Sequence, residues 1–300
     1  MAKNAIRNVK ECQKEFLKLF DGFSGKQSRW QIWSDFIVLS ACAISNQVDE
    51  AHAEKREELY MTTLSKYDDR EKQLFPKLFA AVVDGMEREP DQDFLGELYM
   101  ACELGNDHAG QFFTPYSVCQ AMAAMTISDA AEKIEREGFI AANDPACGAG
   151  ALLVAFANEC HKKNIDYQGH VLFTAQDLDY TVGLMCYIQL TLMGCAGYVT
   201  IGNTLTNPQT SYDRKCLFPV DEEGNVWYTP MYFSDIWHWR RVWNLADMVV
   251  AKACVTAAVE AESAENTPLE VPAPPEIIEE PDTEVAPVYA EAEAGQLTLF

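Results

Sequence analysis

A doubly wound α/β domain behind an N-terminal helical bundle is the fold class this sequence predicts, and two observations carry it. From Thr114 onward short apolar runs alternate with longer helical ones, and the first such run leads into a Gly-rich turn, Asn143-Asp-Pro-Ala-Cys-Gly-Ala-Gly150. Strands alternating with helices of this length imply right-handed crossovers and a mostly parallel sheet covered on both faces.

The elements follow in order. Residues 1–107 are periodic in the helical sense: Val9, Cys12, Phe16, Leu19 and Phe20 share one face, as do Trp30, Trp33 and Ile37, and later Leu74, Leu78 and Val82. About four or five helices are expected there, with Trp30, Trp33 and Phe36 read as core rather than as a base-stacking platform. Residues 108–258 should form the α/β domain. Pro115 opens a helix, and strand 139–142, helix 151–162, strand 170–175, helix 180–193 and strand 198–201 follow. Beyond Gly202 a strand pair is expected at 215–219 and 226–229, around the turn 221–225, and a further buried strand at 247–251. Residues 259–300 read as a disordered acidic, Pro-containing tail, because they cannot bury enough apolar surface to offset the entropy of ordering.

Composition narrows the function classes. The formal charge of −23 argues against broad polyanion binding, since nonspecific DNA affinity rests on Lys and Arg displacing counterions. Eleven acidic residues and no Lys or Arg fall between Glu260 and Phe300. The remainder is still acidic, so DNA contact is expected through a local basic patch or a partner subunit. The ten cysteines form no C-x-x-C pair and no zinc-like spacing, and read as small apolar fillers in a reducing compartment. No metal site is expected. The N-terminus lacks a signal-peptide core, and the longest apolar stretch, near Phe36 to Ile44, is too short to span a bilayer. A cytoplasmic protein is expected.

In a doubly wound sheet the ligand sits beyond the carboxyl ends of the strands. Gly148 and Gly150 permit the backbone angles and close approach that a cofactor cradle needs. Asp144 at the turn entrance can accept hydrogen bonds from an ammonium group. It would repel a pyrophosphate, so a zwitterionic or cationic ligand is expected in place of a dinucleotide. The next strand ends in Gln176-Asp177-Leu178-Asp179. Asp177 is the candidate acceptor for two ribose hydroxyls, and Asp179 the candidate helix N-cap.

Four segments in order, Gly110-Gln-Phe-Phe-Thr-Pro115, Asp144-Pro-Ala-Cys-Gly-Ala-Gly150, Gln176-Asp177 and Gly202-Asn-Thr-Leu205, resemble the adenine-N6 DNA methyltransferases, especially the modification subunits of type I restriction systems. The likeness covers about residues 90–205, and the helical lead-in is similar as well. It implies a Rossmann-like methyltransferase fold and S-adenosylmethionine as cofactor. Phe112, Thr114 and the glycine turn would hold the methionine end, Asp177 the ribose and Asn203 the adenine edge, with Gln111, Asp144 and Ala146 as further cofactor-binding candidates. It also implies DNA methylation at adenine in a restriction-modification or mobile-element setting, with DNA and a specificity subunit as partners.

Methylating an adenine amino group requires the base to be flipped into a pocket with hydrogen-bond acceptors and an aromatic face. In the family an Asn or Asp, two prolines and an aromatic residue supply them, and this chain has no such run. Asn207 and Pro208, with Tyr212 as the ring, are the weak candidates, and Asn207 reads more readily as a turn residue. The resemblance therefore carries cofactor binding further than methyl transfer. The final residues, Gln296, Leu297, Thr298, Leu299 and Phe300, resemble the peptides by which bacterial replication and repair proteins dock on the sliding clamp. Gln296, Leu297, Leu299 and Phe300 would be the anchors, and the alternative function is a non-catalytic DNA-maintenance adaptor.

Overall fold

The computed structural model describes residues 9–102, 113–209, 215–220 and 224–265, with side chains to Val250. Residues Met1–Met248 make one compact unit; of the second, Val249–Phe300, only helix is described.

The helical lead-in contains a 3-10 turn, Glu11–Gln13, followed by α1 (Lys14–Phe20), α2 (Arg29–Ser45), α3 (Ala53–Leu64), the single turn α4 (Asp69–Lys72), α5 (Leu74–Arg88) and α6 (Phe94–Ala101). Side chains cap three of these starts: Ser28 accepts from Gln31 N, Asp68 from Glu71 N and Asp93 from Gly96 N, each satisfying an otherwise unpaired first-turn donor. An aromatic cluster fills the middle. Trp33 packs edge-on against Phe16, Phe20 and Phe36 and tilts onto Tyr99. Trp33 and Phe36 are therefore core, whereas Trp30 is 48% exposed.

The sheet follows α7 (Tyr116–Thr126) and α8 (Ala130–Glu137). It comprises β1 (Ile140–Asp144), β2 (Val171–Asp177), β3 (Ala196–Ile201) and β4 (Val226–Tyr228), in the spatial order β1-β2-β3-β4. β1, β2 and β3 are parallel, with Ile140 beside Val171 and Phe173 beside Gly197; β4 is antiparallel to β3, with Val199 beside Trp227. Helix α9 (Ala151–Lys162), the short α10 (Tyr167–His170) and α11 (Tyr180–Leu192) make the two crossovers.

Alternate residues of each strand separate into two cores, as period-2 geometry requires. Val171, Phe173, Ala175, Val199 and Trp227 join α9, α11 and the helical lead-in in one continuous cluster. Leu172, Ala196, Tyr198 and Val226 face Leu217, Tyr232 and Trp237 on the other side. The helices and strands expected between Pro115 and Ile201 are present to within a few residues, but the described strands run across the sheet in one sequence order. Among the described residues the reversal that defines a doubly wound sheet is not formed and β1 is an edge.

Two sequence expectations are corrected. Residues 215–219 are not a strand: Cys216 has φ +57°, which breaks an extended run, and β4 pairs with β3 instead. Residues 247–251 are not a buried strand either, because they lie inside α12 (Asp235–Glu265). No Gly or Pro interrupts 235–265, so helix propagation passes through an apolar run that by itself resembles a strand. Met248, Val249 and Val250 are 46%, 68% and 62% exposed.

Gln189 and Arg56 lock the lead-in to the sheet region. Gln189 is fully buried; its side chain accepts from Leu95 N at 3.2 Å and donates to Asp93 Oδ1 and to the carbonyl of Ala149, each at 2.8 Å. It thereby joins the start of α6 to the glycine turn. Arg56 on α3 donates to the Val226 carbonyl of β4 at 2.7 Å.

Candidate cofactor site

The site is built where β1 and β2 end. Cys147 N donates to the Gln176 carbonyl, and Gly150 N to the Cys147 carbonyl, folding the chain after Asp144 into a tight turn against β2. Glycine is required at both of its positions in the turn. Gly148 has φ +56° and Gly150 φ +95°, and a Cβ on Gly150 would lie 2.8 Å from Cys186 Sγ. Gly150 then starts α9, whose unpaired first N–H groups face the turn.

Asp177 reaches across from β2. Its Oδ2 accepts from Gly148 N at 2.8 Å and its Oδ1 from Asp179 N at 2.9 Å, so one carboxylate fixes both the glycine turn and the start of α11. Asp179 caps α11 by accepting from Val182 N at 3.0 Å, the role its spacing predicts. Asp144 Oδ1 accepts from Ala146 N at 3.1 Å. Burial pushes the Asp144 carboxyl above the ordinary carboxylate range, and the charge of Asp177 adds to the effect.

A cavity of about 350 Å³ opens between these groups, lined by Asp93, Phe113, Thr114, Asp144, Gly148 and Asp177 among others. Of the sequence candidates, it brings together Thr114, Asp144, Ala146, Gly148 and Asp177. Gly150 lies just behind it. Asn203 is exposed and its side chain turns back to accept from Leu205 N at 2.9 Å. Gln111 and Phe112 lie outside the described residues, as do Tyr212 and the four tail anchors Gln296, Leu297, Leu299 and Phe300. Asn207 and Pro208 are exposed on a strap over the strand ends: Gln176 donates to the Asn207 carbonyl at 2.9 Å, and Gln209 N donates to Gln176 Oε1 at 3.2 Å.

Phe113 and Asp93 are lining residues that the sequence reading did not single out. Phe113 packs against Tyr99 with centroids 5.4 Å apart and sits in van der Waals reach of Gly148. Asp93 caps α6 and accepts from Gln189; burial pushes its carboxyl up to about 6. The signal for Asp93 was an acidic residue immediately before an apolar helical run. Its contribution to the cavity depends on the fold of residues far away in sequence.

Asp93 has a pH consequence. Its folded-state pKa lies above the unfolded value, so stability is greatest below about pH 4 on this account and is lost as pH rises through about 6. The loss should approach about 3 kcal/mol, the equivalent of two pKa units for a fully buried group. Asp93→Asn keeps the accepting oxygen and does not titrate. Urea titrations between pH 4 and 7 are expected to show a flatter pH dependence for Asp93→Asn than for the parent; parallel curves would contradict the assignment.

Among the described residues the cavity carries three carboxylates and no Lys or Arg. That donor set suits a cation or zwitterion and disfavours a diphosphate. Among the described residues no His, Cys, Asp and Glu group is arranged to hold a metal ion, and none of the nine described cysteines is in a disulfide. The family model described as N-6 DNA Methylase matches residues 91–244, just over half of the chain, from the start of α6 through β4 into α12.

The chain belongs to the N-6 DNA methylase family.

No curated protein and no solved structure matches it. The matched span of this family member contains every described cavity-lining residue and all four described strands. Among the described residues no helix is long and apolar enough to cross a membrane.

Proposed function

We infer that the chain is the cofactor-binding part of an adenine-N6 DNA methyltransferase and that its cofactor is S-adenosylmethionine, in a restriction-modification or mobile-element setting. The observation that carries this is the meeting of Asp144, Asp177 and the Gly148–Gly150 turn in one acidic cavity at the carboxyl end of the sheet. The cofactor would supply a sulfonium-bound methyl group as the electrophile. Asp177 offers the lone pairs left over from its two backbone bonds to ribose hydroxyls, Asp144 offers a carboxylate to a cationic group, and Phe113 supplies an apolar wall.

Among the described residues the cavity offers no side-chain amide acceptor and no aromatic face beyond Phe113. A flipped adenine needs both. Titration calorimetry on the full chain should show one S-adenosylmethionine site, and no heat at millimolar cofactor would remove the reading. Label transfer from methyl-labelled cofactor to mixed genomic DNA tests the reaction separately.

A second reading rests on residues 296–300, whose Gln, Leu and Phe fit a clamp pocket. A sliding clamp should bind the full chain and lose that affinity when residues 296–300 are deleted; unchanged affinity would remove the motif from consideration.

A further inference from the structure

One side of α12 seats it on the sheet. Trp237 is fully buried and donates from Nε1 to the Gln168 carbonyl at 2.9 Å, Arg241 donates to the Tyr232 carbonyl, and Asn244 is buried. With about 3.6 residues to the turn, the opposite side carries Ile236, Trp239, Trp243, Ala246 and Val250, every one of them exposed. Trp239 and Trp243 are 57% and 66% exposed. A contiguous apolar face of this kind marks an interaction surface, whereas single exposed apolar residues need no explanation.

The spacing along that face is three, four, three and four residues. This is the seven-residue repeat of a seam that meets another helix. Val242 and Val249, also exposed, run along one flank of the seam; Arg240 and Asp247 run along the other. With the two valines the exposed apolar surface comes to on the order of 600 Å² per copy, counting about 200 Å² or more for a whole Trp. Two such faces together would bury roughly 1,200 Å², the lower end of stable specific interfaces. Charge favours meeting here as well: between Ile236 and Val259 the sequence holds one acid, Asp247, against Arg240, Arg241 and Lys252. Two copies of a chain that carries −23 overall repel each other least at such a place.

We propose that the chain forms a two-fold dimer in which α12 pairs antiparallel with α12 of a second copy, the axis passing beside Asn244 and Leu245. In that register Trp243 falls opposite Ala246 of the second copy and Trp239 opposite its Val250, so each large ring meets a smaller side chain, and the two-fold repeats both layers. The flanks match too. Arg240 falls opposite Asp247, and Val242 opposite Val249. The Arg240 guanidinium donates to the Gly169 and Gly138 carbonyls and so brings a positive charge to that flank, while the nearest cation to Asp247 in its own chain, Lys215, is 4.0 Å away. A parallel pair would set Trp243 on Trp243 and Ala246 on Ala246, crowding one layer and leaving a gap in the next. A two-fold interface must match its own reverse in both size and charge. An unrelated partner imposes no such condition, and this face satisfies it. The dimer does not depend on the proposed cofactor.

Sedimentation equilibrium on the full chain tests it and should show monomer and dimer exchanging at micromolar concentration. Trp243→Ala removes the large member of a layer and Ala246→Trp sets two rings against each other; each should weaken association on the order of tenfold or more. Both positions are exposed, so the far-ultraviolet circular dichroism of each variant should remain that of the parent. Trp243→Ala/Ala246→Trp exchanges large and small within the same layer and should return association to within a few-fold of the parent, a recovery that general loss of structure would not give. A chain that stays monomeric throughout, a dimer indifferent to Trp243→Ala, or an Ala246→Trp variant that associates more tightly would overturn the proposal. The last of these would mean unspecific adhesion of an apolar face. Cofactor calorimetry run alongside separates this from the methyltransferase reading: a chain that dimerises through α12 and binds no cofactor keeps the dimer and loses the methyltransferase.

Discussion

Arg56→Ala is expected to destabilise the protein by about 3–5 kcal/mol, the usual result of removing one partner from a buried ion pair. Both side chains of the Arg56–Asp49 pair are 4% exposed, and Nη1 lies 2.6 Å from Asp49 Oδ2. The same guanidinium hydrogen-bonds Ser45, donates to the Val226 carbonyl and stacks 4.0 Å above the Trp227 ring. Alanine removes all four contacts and leaves Asp49 buried with His52 beside it at 2.9 Å. The position also joins α3 to β4, so the loss should reach the sheet and not only the helices. Urea titration followed by tryptophan fluorescence measures it, and a change under about 1 kcal/mol would show that water replaces the lost partner. The double variant Arg56→Met/Asp49→Leu should recover much of the loss, because apolar side chains of similar volume carry no charge that needs a partner.

Nothing in the sequence around Arg56 announces this role. It sits among Glu54, Lys55, Glu57 and Glu58, where a charged run reads as a solvated helix face, and its partners in β4 are about 170 residues away. Gln189 is hidden in the same way, inside an apolar helix. What was legible was local. The glycine turn, Asp177 at the end of β2 and the Asp179 cap each depend on neighbours within a few residues or on the order of strands, and the structure assembles them as that order requires. The failures came where local pattern and long-range context disagree. Residues 247–251 have the composition of a buried strand, yet the uninterrupted helix around them decides their conformation. Residues 215–219 contain the short apolar run Cys216-Leu-Phe218, yet it is Val226–Tyr228 that pairs with β3. The open edge of β1 was illegible for the same reason. A strand's own residues specify its faces, and which neighbour it has is settled by the whole chain.

Asp177→Ala is expected to weaken S-adenosylmethionine binding by roughly 30- to 100-fold, or about 2–3 kcal/mol, the scale of losing hydrogen bonds to an ionised acceptor. The carboxylate has two tasks that this substitution removes together: it is the candidate ribose acceptor, and it holds Gly148 N and Asp179 N. Asp177→Asn separates them, since the amide oxygen can still accept one backbone bond while the charge is gone. Its affinity should fall between those of the parent and the alanine variant. The charge has a further signature through Asp144. A cationic ligand favours the ionised form of Asp144, so affinity should decline as pH falls through the raised titration range of that carboxyl. Without the Asp177 charge beside it, Asp144 should ionise more easily, and the decline should move to lower pH in Asp177→Asn. Calorimetry across the acid range reads both effects. A folded Asp177→Ala protein with unchanged cofactor affinity would place the ligand elsewhere. A weakened variant whose pH dependence does not move would leave Asp177 as an anchor of the glycine turn alone, with Asp144 remote from the ligand's positive charge.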